Sequence, residues 1–258
     1  MFSSKLSRGL IQMGRNAIAP RNAASIHSEA VVKPHRKPLL EPSIVNGLLY
    51  RVATEADREL VRDGLHKYFY PEDPVTSTHY SGKEPTTDDT EGTLEMVDSG
   101  CMILAMDEQS GSLAGFSGST IVSPDEPQKL LEKASQAQTK KYGDVLRLTA
   151  HLIAKTRVCE RFGVDRAYHL DMVGVNPNFR GKSIGVILQE KHVELACAKG
   201  MRVLSAFVTG PYSASILERL GMQCVYTLPY RDYRDESGRV VFQGTKNYNE
   251  MKCYVMKI

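Results

Sequence analysis

The stretch from Tyr168 to Lys199 limits the fold more than any other part of this sequence. It begins Tyr168-His169-Leu170-Asp171-Met172-Val173-Gly174-Val175, which alternates as a strand does. The alternation predicts Tyr168, Leu170 and Met172 on one face, and Asp171, Val173 and Val175 on the other. Pro177 cannot donate to a ladder and marks the exit from the strand. After Gly181 the period changes: Ile184, Ile187, Leu188 and Leu195 share a helical face, and Gly200 supplies a stop. A strand, a short glycine-containing turn and a helix gather free backbone N–H groups at one helix N-terminus. Those groups and the helix dipole make an anion site suited to a pyrophosphate. Gly181 and Gly185 allow close backbone approach, and Arg180 and Lys182 add positive charge. Gly181-Lys182-Ser183 also matches the end of a P-loop, but that motif needs a glycine where Asn176 stands.

Composition narrows the class of protein around this unit. The 258 residues are 41% hydrophobic and 24% charged, ordinary for a globular chain with one sizeable core. No apolar run is long enough to span a bilayer, and a net charge of +3 is too small to argue for nucleic acid. Cys101, Cys159, Cys197, Cys224 and Cys253 are odd in number and widely spaced, which fits a reducing compartment. His66, His79, His151 and His192 show no metal-ligand spacing with cysteine or carboxylate, so no metal is expected.

The basic balance belongs to the first residues. Residues 1–28 contain Lys5, Arg8, Arg15 and Arg21 and no acidic residue; taking those four from 33 leaves 29 basic residues against 30 acidic. With Phe2, Leu6, Ile11, Met13 and Ile18 interleaved, the leader is similar to a mitochondrial transit peptide. It reads equally well as a polar tail that leaves the protein cytoplasmic. It lacks the apolar core of a secretory signal. Pro34, Pro38 and Pro42 mark residues 29–46 as an extended linker, so leader and linker occupy 1–46 and the folded domain 47–258.

Within the domain, Leu48 to Ala53 suits a strand, and Thr54 with Asp57 forms a capping box before a helix carrying Leu60, Val61, Leu65 and Tyr68 inward. A helix is expected over 87–99. Cys101–Met106 and Leu113–Val122 make a hairpin, and 128–162 is helix-rich with an interruption near Gly143. Met201–Val208, Gln223–Leu228 and Met251–Ile258 are further strands, with a helix from Tyr212 to Leu220. This order is neither regular βα repetition nor pure β. It predicts an α/β fold of mixed type, a single domain with a twisted mixed sheet flanked by helices.

The central segment resembles the acyl-CoA motif of the GCN5-related N-acetyltransferases, Arg/Gln-x-x-Gly-x-Gly/Ala after a strand ending in Val-x-Pro. Arg180, Ser183 and Gly185 meet it, with Ser183 replacing the middle glycine. The resemblance implies that fold across about residues 47–258 and acetyl-CoA as co-substrate. It implies that Arg180, Gly181, Lys182, Ser183, Ile184, Gly185 and Val186 hold the pyrophosphate, and that Met172, Val173 and Val175 meet the pantetheine arm. Three further stretches resemble invertebrate arylalkylamine N-acetyltransferases, dopamine N-acetyltransferases among them. They are Tyr70-Pro71-Glu72-Asp73-Pro74-Val75-Thr76, Thr209-Gly210-Pro211-Tyr212-Ser213 leading to Leu220-Gly221-Met222, and Tyr230-Arg231-Asp232-Tyr233-Arg234-Asp235.

An amine is mostly protonated at neutral pH and must lose a proton before it attacks a thioester. A carboxylate at the substrate mouth can take it. The family places a Glu before the proline; here that position is Asp73, with Glu72 one residue earlier and longer in reach. Asp73 is the expected base and Glu72 its alternative. The resemblance also implies that Thr209 and Ser213 act in the site, although hydroxyls at a helix start also serve as caps. The Tyr that many superfamily members place four residues before the Gly221 position is Leu217. The expected function is acetyl transfer to small arylalkylamines such as dopamine, tyramine, octopamine or serotonin, by direct attack in a ternary complex. The alternatives are the same fold acting on polyamines or amino acids, and a non-catalytic acyl-CoA-binding protein. The expected partners are the amine and acetyl-CoA, with neither nucleic acid nor a membrane.

Overall fold

Asn46 and Gly47 start the architecture. Their φ angles of 52° and 75° are the left-handed pair of a two-residue hairpin, joining β1 (Ser43–Val45) antiparallel to β2 (Leu48–Val52). The sheet therefore begins ahead of Gly47, inside the stretch read as linker, and Leu40 is already buried in the core. The computed structural model describes residues 39–258; the leader of residues 1–28 and the linker up to residue 38 lie outside them.

Thr54 caps the next element as its sequence predicts. Its N–H and its hydroxyl both donate to Asp57 at 2.8 Å. Arg51 grips the same carboxylate through two nitrogens, which holds the Asp57 carboxyl well below its usual range. A 3₁₀ turn then leads into α1 (Arg58–Gly64), which widens into a π-helical turn over Leu65–Phe69. After Pro71 come a single turn, α2 (Pro74–Ser77), and α3 (Thr87–Asp98). The hairpin of β3 (Met102–Asp107) and β4 (Leu113–Val122) follows, then α4 (Glu126–Ser135), α5 (Lys140–Thr156) and α6 (Val158–Phe162). The interruption expected near Gly143 lies earlier, over residues 136–139, because Thr139 caps α5 and Gly143 sits inside it. Gly143 serves packing instead: a Cβ there would stand 3.2 Å from the Ala134 carbonyl of α4.

The second half of the chain runs β5 (Ala167–Val175), α7 (Ile184–Ala198), β6 (Val203–Val208), α8 (Pro211–Arg219), β7 (Gln223–Pro229) and β8 (Glu250–Lys257). Among the described residues, eight strands form one mixed sheet in the order β1-β2-β3-β4-β5-β6-β8-β7. Its one parallel junction joins β5 to β6; β8 inserts antiparallel between β6 and β7.

Strand β5 departs from the simple alternation. Gly118 pairs with Met172 and Ser119 with Leu170, which leaves Asp171 as an extra residue. This is a β-bulge, and it exchanges the faces that follow. Tyr168 and Leu170 pack in one cluster with Val173 and Val175, whereas Met172 packs in another with Phe116 and Leu94. The predicted grouping of Met172 with Tyr168 and Leu170 is thus corrected: one inserted residue shifts the period. Pairing between β5 and β6 stops at Leu170 and Ala206, next to the bulge.

Helix α7 is pinned to this region by buried polar groups. Ser119 Oγ donates to Tyr168 Oη, which donates to His192 Nδ1, and His192 Nε2 donates to the Ser117 carbonyl. Burial pushes His192 down to about 4, so the imidazole stays neutral in this chain.

Candidate active site

A cleft of about 540 Å³ opens between the turn after β5, the start of α8 and the segment before α2. Its cofactor end is built from backbone. Gly181 has φ of 82°, and Ser183, also left-handed at φ 57°, is the N-cap of α7. The first helical bond runs from Ile187 N–H to the Ser183 carbonyl. Ile184, Gly185 and Val186 therefore keep N–H groups free at the positive end of the helix. A Cβ on Gly185 would come within 3.0 Å of Ile216 Cδ1, so glycine keeps this wall of the cleft open. Val173, Val175, Arg180, Gly181, Ser183, Ile184, Gly185 and Val186 all line the cleft. A row of free N–H groups beside an open glycine fits the diphosphate of an acyl-CoA. Lys182 is not brought to the lining; its ammonium lies 5.2 Å over the Phe179 ring. Met172, turned by the bulge, lines a smaller inner cavity instead.

That inner cavity, of about 80 Å³, continues the cleft where β5 and β6 part. Phe69, Asp73, Val173, Thr209, Ser213 and Ile216 line both spaces. Asp73 is the N-cap of α2: the backbone N–H and the hydroxyl of Thr76 both donate to its Oδ2 at 2.8 Å. Burial raises its carboxyl above the usual range, against these hydrogen bonds. The segment carrying it is stitched to α5. Lys141 Nζ donates to the carbonyls of Thr76, Gly82 and Glu84 at 2.7, 2.9 and 2.7 Å, and the buried His79 meets Asp144 at 3.2 Å. Asp89 lies close enough that burial, and then the charge of Asp73, push it up to about 7.

Glu72 is placed differently. It is exposed at the mouth of the cleft and pairs with Arg180 at 2.7 Å. Thr209 and Ser213 face the cavity; Gly210 is the N-cap of α8, and no side chain caps that helix. Leu217 is buried against the inner cavity, where it offers no proton. Tyr230 and Tyr233 pack in the cluster beneath β7 and do not line the cleft.

Among the lining residues that the sequence reading does not assign to the site are Asp171, Gln189, Phe207 and Tyr248. Asp171 had a signal, a lone carboxylate inside an apolar central strand, which burial penalises unless it has a task. It projects from the bulge, accepts from Thr120 Oγ1 at 2.8 Å, and is pushed up to about 7, chiefly by burial. His169, beside it, donates to or accepts from Ser205 Oγ at 2.8 Å and is held neutral, pushed down to about 3 by burial.

A cleft with an anion-binding helix start at one end and a desolvated carboxylate at the other is the layout of an acyl-CoA-dependent transferase. No family model matches the chain. Among solved structures it is similar to mosquito arylalkylamine N-acetyltransferase-like 5b, at 34% identity and a TM-score of 0.80, over 82% of this chain and 100% of that one. It is also similar to the Drosophila melanogaster polyamine N-acetyltransferase that forms N-acetylagmatine, at 28% identity and a TM-score of 0.77, over 82% and 100% of the two chains. An apo agmatine N-acetyltransferase variant matches at 27% identity and a TM-score of 0.78, over 83% and 100%. The chain belongs to the arylalkylamine N-acetyltransferase-like family of the GCN5-related N-acetyltransferase superfamily. It is an N-acetyltransferase that takes its acetyl group from acetyl-CoA.

Proposed function

We propose that this chain acetylates small arylalkylamines such as dopamine, tyramine, octopamine or serotonin, by direct attack of the amine on acetyl-CoA in a ternary complex. One observation carries the reading: Asp73, desolvated and held by Thr76, shares the inner cavity with Phe69 and Phe207, so a proton acceptor stands beside aromatic surface. The carboxylate attracts the ammonium and takes its proton, and the two rings stack on the aryl group. Thr209 and Ser213 supply hydroxyls at the same place. The cleft and its inner cavity have no cysteine in their lining among the described residues, which favours direct attack over an acyl-enzyme. The 34% identical neighbour is an arylalkylamine N-acetyltransferase-like protein, in line with this choice. The test is product formation from acetyl-CoA with a panel of amines. Turnover of tyramine and dopamine well above agmatine and putrescine is expected. The reverse order would move the assignment to polyamines, and no product with any amine would leave a non-catalytic acyl-CoA-binding protein.

A further inference from the structure

The inner cavity has an unusual inventory. Asp73 and Asp171 both line it, and no Lys or Arg does. Gln189 lines it too and is 3% exposed. Its Nε2 donates to Ser117 Oγ, whose own proton goes to the Met172 carbonyl; this fixes the amide's orientation and leaves Gln189 Oε1 without a donor. Two carboxylates and an amide whose buried oxygen has no donor thus belong to one lining that holds no side-chain cation. The ligand with the opposite inventory is an ammonium group, with three N–H donors and one positive charge. Each carboxylate is also half committed. Asp73 uses Oδ2 for Thr76 and Asp171 uses Oδ2 for Thr120. Asp171 Oδ1 stands 3.9 Å from His169 Nε2, on a ring that carries no charge.

We propose that Asp171 is a second catalytic carboxylate: the acceptor's ammonium binds between Asp73 and Asp171, Asp73 takes its first proton, and Asp171 takes the second as the C–N bond forms. This rests on the amine-acetylation reading above. One N–H bond of the ammonium breaks and its proton goes to the Asp73 carboxylate. The freed lone pair forms the C–N bond at the thioester carbonyl carbon. A second N–H bond of the same nitrogen then breaks and its proton goes to the Asp171 carboxylate, which passes it to the CoA thiolate as the C–S bond breaks; Asp73 releases its proton to solvent once product leaves. Thr120 on β4 bonds Asp171, His169 on β5 stands 3.9 Å from it, the charge of Glu126 on α4 reaches it, its own charge reaches Tyr168 on β5, and Asp73 before α2 lines the same cavity. None is a cation, so its carboxyl titrates near the pH at which a base works best.

The test compares wild type, Asp171→Asn and Asp171→Glu on whichever amine of the panel is turned over best. Asp171→Asn should lower kcat/KM by about 10²-fold and remove the acidic limb of its pH profile near 7, with acetyl-CoA affinity unchanged. Asp171→Glu should recover part of the rate. Unchanged kcat/KM and pH profile in Asp171→Asn would overturn the proposal. So would a loss shared equally by Asp171→Glu and accompanied by weaker acetyl-CoA binding, which would mark a structural role. If wild type prefers diamines, only the aryl assignment fails, and the same comparison on the diamine decides Asp171. A wild type inert to every amine overturns both.

Discussion

The two ends of the cleft are built on different principles. The cofactor end is one continuous segment whose binding groups are backbone N–H groups, fixed by the turn at Gly181 and Ser183 and the start of α7. The acceptor end gathers side chains from the π-helical turn, α2, β5, β6 and α8, brought together only by the sheet. A local backbone site tolerates side-chain change wherever the turn geometry survives. A convergent side-chain site fails at single atoms. Substitutions at the two ends should therefore separate cofactor affinity from turnover.

The largest expected effect is at the cofactor end, and it sharpens the contrast. Gly185→Glu puts a Cβ 3.0 Å from Ile216 Cδ1 and a negative charge beside the free N–H groups of α7. Acetyl-CoA affinity should fall by about 10²-fold or more, close to 3 kcal/mol. A folded variant with unchanged affinity in calorimetry would break the assignment of this turn to the diphosphate.

Asp73→Asn is the matching change at the acceptor end. It keeps size and polarity and removes basicity. kcat/KM should fall by about 10²-fold while acetyl-CoA affinity holds. The acid limb should lie above the ordinary carboxylate range, since burial raises this carboxyl. A variant that loses cofactor affinity but keeps its rate would erase the distinction between the ends.

This difference also explains what the sequence made legible. The strand, turn and helix around Arg180 are contiguous, so periodicity and two glycines suffice to find them. Asp73 was found through its prolines and its resemblance to a motif. Asp171, Gln189 and Phe207 were not, because their roles depend on a bulge and on β5 parting from β6, and pairing register leaves no mark on hydrophobic spacing. The β1 hairpin was missed for another reason. Asn46-Gly47 is a strong turn signal, but the prolines before it read as linker. The interruption placed at Gly143 failed because Gly in a helix can serve close packing, while Thr139 carried the true cap.

A smaller effect lies in stability. Burial pushes the Asp171 carboxyl up to about 7 in the folded chain, well above the ordinary carboxylate range. A carboxyl raised on folding stabilises below its unfolded pKa and loses that contribution as pH rises through the folded value. Asp171→Asn should therefore melt above wild type at about pH 8, with the gap narrowing as pH falls toward about 4. A constant gap across that range would mean that Asp171 is not desolvated in solution. Ser183→Gly acts at the other end. Serine in the left-handed region costs about 1 kcal/mol that glycine avoids. The variant should melt higher with acetyl-CoA affinity within about twofold of wild type, since the contacts there are backbone.

The smallest expected effect tests an ion pair that joins the two ends. Arg180 of the cofactor turn meets Glu72, the neighbour of Asp73, at 2.7 Å across the cleft mouth. Both side chains are about half exposed, at 46% and 58%, so the pair contributes at most about 1 kcal/mol. It nevertheless occupies a guanidinium that would otherwise be free for phosphate. Glu72→Gln removes the competing charge and keeps the side-chain length. Acetyl-CoA should then bind about threefold more tightly at low salt, with the gain shrinking as ionic strength rises, and kcat should stay within about twofold. A loss of kcat as large as that of Asp73→Asn would transfer the proton-accepting role to Glu72. The acceptor end would then reach out to the exposed mouth, and the separation between a backbone-built cofactor site and a half-buried carboxylate site would no longer hold.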